Sequence, residues 1–377
     1  MLFRSQVKAK GLWLAAAVAA ALLAGCAADK PKPAELQAVT AKIAGRQVWS
    51  ASIGSVGFPM QATLRGDRLV VAADDGTVVA LDTANGREAW RAQVGARLSA
   101  GVGSDGRFSA VVTRDNELVV LEGAEVRWRQ KIDTAVVTAP LVAGERVFVL
   151  GVDRTAQAFD ALDGRRLWVY RRPGDALLLS QPGVLTAYRD TLLVGQGGRL
   201  VGLDPTRGSL RWDVPVATPR GTNEVERLAD LVGPATRQDA SFCVRAFQNA
   251  VGCVDAQRGA LQWTQNTGGV QAVGGDAGLL VGADASDRLT ARQRANGGLA
   301  WSSDLLLNRG LSAPVVVGPT VVVGDFEGQM HFLSREDGQP LLRLPTDGSR
   351  IVSAPVLSGT TLMVVTARGG VFAFRPE

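Results

Sequence analysis

A nine-residue pattern recurs along the whole chain and restricts what it can fold into. In its full form an Asp is followed by Gly four positions later and by Trp four positions after that, as in Asp82, Gly86 and Trp90. The Asp carboxylate can accept backbone N–H bonds in a turn, and the Gly permits the positive φ of a tight connection. The Trp brings a large flat apolar side chain onto the returning strand. One such hairpin cannot bury its own faces, so the copies must stack.

The copies are evenly spread, at intervals of roughly 40 residues. The other full copies are Asp160/Gly164/Trp168, Asp204/Gly208/Trp212 and Asp255/Gly259/Trp263, and in an eighth, partial copy Leu342 stands in place of Trp. Each Trp of the pattern is expected to dock against a neighbouring unit. The predicted docking residues are Trp49, Trp90, Trp128, Trp168, Trp212, Trp263 and Trp301.

The period and the strand content predict an all-β fold, an eight-bladed β-propeller of four-stranded antiparallel blades over residues 45–377. Residues 46–52 form a Trp strand with no blade before it, and residues 371–374 form a strand with no Trp strand after it. Pairing the two completes the eighth blade and removes two open edges. Seven blades is the main alternative.

Prolines recur where the innermost strand of each blade is expected to begin. Proline lacks an N–H, so it fits where the ladder has no partner, facing the channel. An inner strand is predicted at 312–317, followed by strands at 320–324 and 329–333. The equivalent prolines elsewhere are Pro59, Pro140, Pro182, Pro234 and Pro355.

The first 25 residues have the features of a secretory signal, with a basic start and an apolar run at 12–23 that is too short for a comfortable membrane span. The run ends in residues 23–26, Leu-Ala-Gly-Cys, which resembles the bacterial lipobox. Lipidation of Cys26 is therefore predicted, the alternative being a buried Cys at the end of a signal. Ala27 favours the outer membrane, and residues 26–44, polar with two prolines, are expected to be a flexible tether.

The remaining composition gives no support for catalysis, metal binding or nucleic-acid binding. Removal of the signal lowers the net charge to about +2, and no basic run stands out. His331 is the single histidine, inside a predicted strand, and is expected to be structural or surface-exposed. No Cys/His cluster has zinc spacing, so no cofactor or metal is expected.

Cys243 and Cys253 flank a predicted hairpin symmetrically about Gln248. A three-residue turn would place them opposite each other, where the Cα separation suits a disulfide. The alternative is two small buried thiols, one on each strand.

A lipobox, a short tether and eight such repeats together resemble the BamB family, a lipoprotein component of the outer-membrane β-barrel assembly machinery. Residues 301–314, 322–328 and 221–230 carry this resemblance beyond the generic repeat. It implies a non-enzymatic protein on the periplasmic face of the outer membrane. Members of the family bind the polypeptide-transport-associated (POTRA) domains of BamA, the central barrel component, and support insertion of outer-membrane proteins.

The resemblance also implies which residues contact the partner. They lie in two loops, the first with Leu177, Leu178 and Leu179, and the second with Glu226, Arg227, Leu228 and Asp230. Exposed leucines in a connecting loop mark contact sites. Two structural interpretations remain open, an inner strand at 177–179 and a loop at 226–230 stabilised by its own ion pairs.

Two other functions compete with this one. The repeat resembles the tryptophan-docking motif of pyrroloquinoline quinone (PQQ) dehydrogenases, but those enzymes commonly carry adjacent cysteines and long pocket loops that this chain lacks. A glycan-binding propeller would need exposed aromatic platforms, whereas the tryptophans here are committed to docking.

Overall fold

The computed structural model describes residues 31–172, 179–218, 222–223 and 227–377. Residues Ala34–Glu377 form one compact unit built of eight four-stranded antiparallel sheets. In seven of them four consecutive strands pair in chain order, the arrangement of propeller blades. The predicted eight-bladed propeller is confirmed. No helix in the described part of the chain is long and apolar enough to span a bilayer.

The first blade consists of β2 Thr63–Arg65, β3 Arg68–Ala72, β4 Thr77–Asp82 and β5 Glu88–Gln93, and the second of β6 Gly103–Ser104, β7 Phe108–Val112, β8 Glu117–Glu122 and β9 Glu125–Lys131. The third blade consists of β10 Leu141–Ala143, β11 Arg146–Leu150, β12 Ala156–Asp160 and β13 Arg166–Tyr170. The fourth consists of β14 Leu185–Tyr188, β15 Thr191–Gln196, β16 Arg199–Leu203 and β17 Leu210–Pro215.

The fifth blade consists of β18 Leu231–Gln238, β19 Ser241–Ala246, β20 Ala250–Asp255 and β21 Ala260–Asn266, and the sixth of β22 Gly274–Gly275, β23 Leu279–Ala283, β24 Leu289–Gln293 and β25 Leu299–Ser303. The seventh blade consists of β26 Val315–Val317, β27 Thr320–Gly324, β28 Gln329–Ser334 and β29 Pro340–Pro345. The eighth consists of β30 Val356–Ser358, β31 Thr361–Val365 and β32 Gly370–Pro376 and is completed by β1 Gly45–Ser52.

The ring closes as the sequence predicts. Strand β1 pairs antiparallel with β32, with a register that runs from Gly45 opposite Pro376 to Ser52 opposite Gly370. The first strand of the domain is thus the outermost strand of the last blade, and the propeller has no open junction between its first and last blades.

The repeated pattern fastens most of the blades to their neighbours. In the β12–β13 turn the Asp160 carboxylate accepts the Leu162 N–H at 2.9 Å, and Gly164 has φ 77°. The indole of Trp128, from the preceding blade, lies against Gly164 and donates its Nε1–H to Ala161 O at 2.8 Å. The same indole-to-carbonyl bond is made by Trp49, Trp168, Trp263 and Trp301. Each of these five indoles lies at a junction between two blades.

Trp90 and Trp212 differ from the other five. Gly123, in the shortened turn that Trp90 would reach, has no atom within 4 Å of the position of a Cβ, so the indole does not pack on it. Trp212 lies across Gly202 of its own blade and also contacts Gly259 of the next. The shortened turn at Gly123 explains why Trp90 does not dock, because this turn lacks the residues on which an indole packs in the other blades.

The prolines sit at or ahead of the innermost strands, as expected, but the strands are shorter than predicted. Strand β26 begins only at Val315, directly after Pro314, because a residue without an N–H cannot extend the ladder. Pro234 lies inside β18, where the pairing register shifts between Val232 and Thr236.

The β19–β20 hairpin turns at Gln248, which has φ 50°, and places Cys243 directly opposite Cys253. The two residues are joined in a disulfide with their Cα atoms 4.0 Å apart.

Part of the segment predicted as a tether lies on the propeller. Ala34 N donates to Leu307 O and Lys42 N donates to Leu341 O, each at 2.8 Å. We call residues 34–42 the N-terminal strap. The domain therefore begins at Ala34 and not at Gly45.

A pair of glycines isolates the contribution of indole docking to stability. Gly164 and Gly123 both occupy turns with positive φ, 77° and 61°, but only Gly164 carries an indole, 2.7 Å from where its Cβ would lie. Gly164→Ala should destabilise the protein by about 2–4 kcal/mol, backbone strain plus overpacking. Gly123→Ala should cost only the strain, about 1–2 kcal/mol. Urea unfolding measures both, and equal losses would contradict the docking role.

Candidate functional site

The two loops of interest emerge on the same face of the propeller. The first connects β13 to β14 and the second connects β17 to β18, so each runs from the outermost strand of one blade to the innermost strand of the next. In an antiparallel blade, such loops begin at the end of the blade that also carries the turn between its second and third strands. The loops flank the fourth blade and are neighbours, while the Asp–Gly turns lie on the opposite face.

Leu177, Leu178 and Glu226 lie outside the described residues. Leu179 is half-buried and belongs to no strand, since β14 begins only at Leu185. In the second loop Arg227 is exposed and Leu228 is half-buried.

Asp230 is held by a residue that the sequence did not indicate. Its two carboxylate oxygens accept hydrogen bonds from Arg154 Nε at 2.7 Å and Nη2 at 3.1 Å. The side chains are only 15% and 16% exposed. Arg154 lies in the β11–β12 turn, 76 residues away in sequence, so no local pattern could reveal the pair. Asp230 therefore does not form an ion pair within its own loop, because its partner comes from another blade.

The bidentate pair ties three blades together at this face. Gln196, at the end of β15, donates to Arg154 O at 2.8 Å, and Leu231 N donates to Gly197 O at 2.9 Å. Planar two-point contacts of this kind fix geometry as well as supplying energy. The base of the second loop is therefore rigidly placed over the third, fourth and fifth blades.

The first loop is fixed at both ends. At its start Arg172 forms an ion pair with Asp213, which also accepts a hydrogen bond from Arg199 Nε at 2.6 Å. Burial alone would raise the pKa of the Asp213 carboxyl, but the hydrogen bonds from Arg199 and Arg172 outweigh it and lower the pKa. At its end Gly183 N donates to Thr138 Oγ1 at 2.9 Å. The two described ends of this loop are therefore held in place.

The described lining of the central channel does not fit a calcium ion or a glycan. Its cavity, of about 850 Å³, is lined by the segments that lead into the innermost strands. Among the described lining residues Arg350 is the one charged side chain and Phe58 is the one aromatic. Calcium requires several oxygen ligands, usually carboxylates, and glycan binding requires aromatic platforms. No group of three or more His, Cys, Asp or Glu that could hold a metal is found in the described part of the chain.

The single histidine lies in a buried ionic cluster of the seventh blade. His331 Nε2 is 3.0 Å from Asp325 Oδ2, and Arg309 Nε donates to the same oxygen at 2.8 Å. These three side chains are at most 4% exposed. Arg309 Nη1 and Arg343 Nη1 also donate to the strap carbonyls of Ala34 at 2.9 Å and Gln37 at 3.0 Å. The cluster secures the N-terminal strap and is structural.

The fold and its surfaces define a class of protein. The closed propeller holds six tryptophans in blade junctions, its described channel lining has no His, Cys, Asp or Glu, and the described ends of the two loops lie on one face. This is the architecture of a β-propeller built from tryptophan-docking repeats.

Comparison with known proteins identifies the family. The chain matches the family described as "Outer membrane protein assembly factor BamB" over residues 33–99, 74–303 and 291–377. It is 36% identical over 372 residues to BamB of Burkholderia pseudomallei, covering 97% of each chain. It is 34% identical to BamB of Bordetella pertussis, covering 96% of this chain and 97% of the other. The chain belongs to the BamB family of outer membrane protein assembly factors, which are not enzymes.

Solved structures show the same fold. The crystal structure of BamB from Moraxella catarrhalis superposes with a TM-score of 0.79 at 23% identity, covering 88% of this chain and 99% of that one. A quinohemoprotein alcohol dehydrogenase from Comamonas testosteroni superposes with a TM-score of 0.66 at 16% identity, covering 88% and 76%. The second likeness extends to the fold alone.

The buried histidine makes stability depend on pH. Burial lowers the pKa of the His331 imidazole, against the opposing effect of Asp325. Below pH about 6.5 the unfolded chain binds a proton at His331 that the folded chain does not. The free energy of unfolding should therefore fall by up to about 1.4 kcal/mol for each unit by which the pH is lowered. Urea unfolding of wild type and His331→Gln between pH 5 and 7.5 tests this. The variant should be less stable at pH 7.5 but have a flatter slope, and an unchanged slope would refute the assignment.

Proposed function

We propose that this chain is a lipid-anchored scaffold of the outer-membrane β-barrel assembly machinery that binds the POTRA domains of its central component, BamA. The observation that carries the proposal is the 36% identity to a curated BamB over 97% of both chains. The fixed ends of two neighbouring loops on one face support it, because fixed loop ends limit the entropy lost on binding.

In this proposal the two loops make different contributions to binding. Leu177, Leu178 and Leu179 supply apolar anchors, and exposed Arg227 supplies a charge that fixes register. Asp230 acts mainly through Arg154, because its carboxylate is already engaged in a two-point ion pair. Its contribution is to hold the loop that carries Arg227 and Leu228 in position.

The anchor constrains where the propeller works. Lipidated Cys26 would be separated from Ala34 by eight residues, which span at most about 30 Å when fully extended. Ala34 is fixed to the residues before the seventh blade through its N–H and its carbonyl. The propeller therefore stays close to the periplasmic face of the outer membrane.

Replacement of Leu178 by Ser should weaken binding to purified BamA POTRA domains by at least about 10-fold, because a buried apolar anchor is lost. Leu299→Ser is the matched control. Leu299 is 62% exposed on the outermost strand of the sixth blade, away from both loops, and its loss should leave affinity unchanged. Titration calorimetry on folded variants gives both values. Equal affinities for wild type and Leu178→Ser would place the contact elsewhere.

Two further variants separate a positioning role of Asp230 from a direct one. If Asp230 only positions its loop, Asp230→Asn and Arg154→Met should weaken binding to a similar extent. A much larger loss in Asp230→Asn would mean that the carboxylate touches the partner.

Cys26→Ser should release the protein from the outer membrane, because the lipid chains are attached there. Fractionation of the envelope should find the variant in the soluble periplasmic fraction, and mass spectrometry should find no acyl mass. A Cys243→Ser/Cys253→Ser variant should remain in the membrane fraction, which controls for a general effect of losing cysteine. Membrane retention of Cys26→Ser without acylation would contradict the anchor.

A further inference from the structure

Arg245 is a fully buried guanidinium in the interface between the fifth and sixth blades. Its side chain is 2% exposed and points from β19 across to the sixth blade, two residues after the disulfide-bonded Cys243. Gly269 and Gly282 make room for it, since a Cβ at either position would collide with the guanidinium nitrogens. Nη1 donates to Thr267 O at 3.3 Å and to Gly268 O at 2.5 Å. The sequence provides a dedicated space for this group.

The other edge of the guanidinium lacks an acceptor. Nε is buried without a hydrogen-bond partner among the described residues. Asp284 supplies a negative charge that acts on Arg245 through space, but no hydrogen bond joins the two side chains in the described part of the chain, and Asp284 Oδ1 instead accepts the N–H groups of Ser286 and Arg288. Burial lowers the pKa of Arg245 to about 10, so the side chain remains charged at neutral pH. A buried cation without a counter-charge is costly, and proteins normally compensate it.

A second cation faces Arg245 across a small cavity. The cavity has room for one water-sized particle, about 10 Å³, and its lining includes Arg245, Arg292, Thr267 and Thr290. Thr290 and Arg292 are two apart on β24 and present the same side of that strand. No carboxylate is among the described residues that line the cavity. Two arginines therefore line a cavity whose other described lining residues are two threonines, a glycine and four aliphatic residues. Arg292 Nη1 also donates to Gly297 O at 3.0 Å.

We propose that this cavity binds one small inorganic anion of halide size, such as chloride, between Arg245 and Arg292. The anion would accept the Nε–H of Arg245 and neutralise part of the positive charge of both arginines. A water molecule could accept the same hydrogen bond but would leave the charge uncompensated. The ion would thereby strengthen the contact between the fifth and sixth blades beside the disulfide.

Arg294 provides a matched contrast in the same interface. It is 5% exposed, and its Nη groups donate to the carbonyls of Thr236, Ser241 and Asp276, which join the fifth blade to the sixth. It is buried like Arg245, but it is not part of the cavity lining. Its removal should destabilise the protein without changing the response to anions.

Thermal unfolding of the full-length protein in detergent, in sodium chloride and in sodium gluconate of equal ionic strength, tests the site. Wild type should have a Tm about 2 °C higher in saturating chloride, because the ion binds the folded state. Arg245→Met should lose this difference, while Arg294→Met should keep it at a lower Tm. An equal chloride response in wild type and Arg245→Met would overturn the proposal.

Diffraction from wild-type crystals grown in sodium bromide gives an answer that does not depend on how the variants fold. An anomalous peak between Arg245 and Arg292 is expected. A water in that position, without anomalous signal at a bromide concentration that saturates the thermal response, would overturn the proposal. Arg292→Gln, a change at a half-buried residue, should raise the chloride concentration at half-effect by about 10-fold.

Discussion

Six of the eight junctions in this propeller have an indole that lies on a glycine of the next blade. The geometry leaves little freedom, because the Trp128 ring occupies the space where Gly164 would carry a Cβ and its N–H meets the Ala161 carbonyl. Flat apolar contact supplies most of the energy, and the hydrogen bond sets the rotation of the ring. The bond also satisfies a turn carbonyl that docking would otherwise bury.

The docking turns occupy one face of the propeller and leave the opposite face available for recognition. The docking turns connect the third and fourth strands of the blades, whereas the loops into the next blade emerge at the other end. Those loops are therefore free to vary in length without disturbing the junctions. The bidentate Arg154–Asp230 pair and the Arg172–Asp213–Arg199 group show how such loops are held firmly without being part of the core.

The sequence predicted the elements that follow from a repeated local pattern. The blade number, the closure of β1 on β32 and the opposition of Cys243 and Cys253 all follow from spacing, which local geometry converts directly into position. It could not predict the Arg154–Asp230 pair or the Arg245–Arg292 juxtaposition, because each joins residues of different blades that no pattern marks. The strap was missed for a related reason. Its polar, proline-containing composition is typical of a linker, and its order comes from Arg309 and Arg343 about 270 residues or more away.

The strap and the buried cluster are found where the repeat is weakest. Leu342 replaces Trp in the seventh blade and packs against Gly45, at the start of β1. A leucine can fill the space but cannot donate the hydrogen bond that positions an indole. At this same junction Lys42 N bonds to Leu341 O, and Arg309 joins the strap to Asp325 and His331. Backbone and ionic contacts thus take over the orienting role of the missing indole. The junction that closes the ring is fastened by the chain's own N-terminal segment, the same segment that leads toward the proposed lipid anchor.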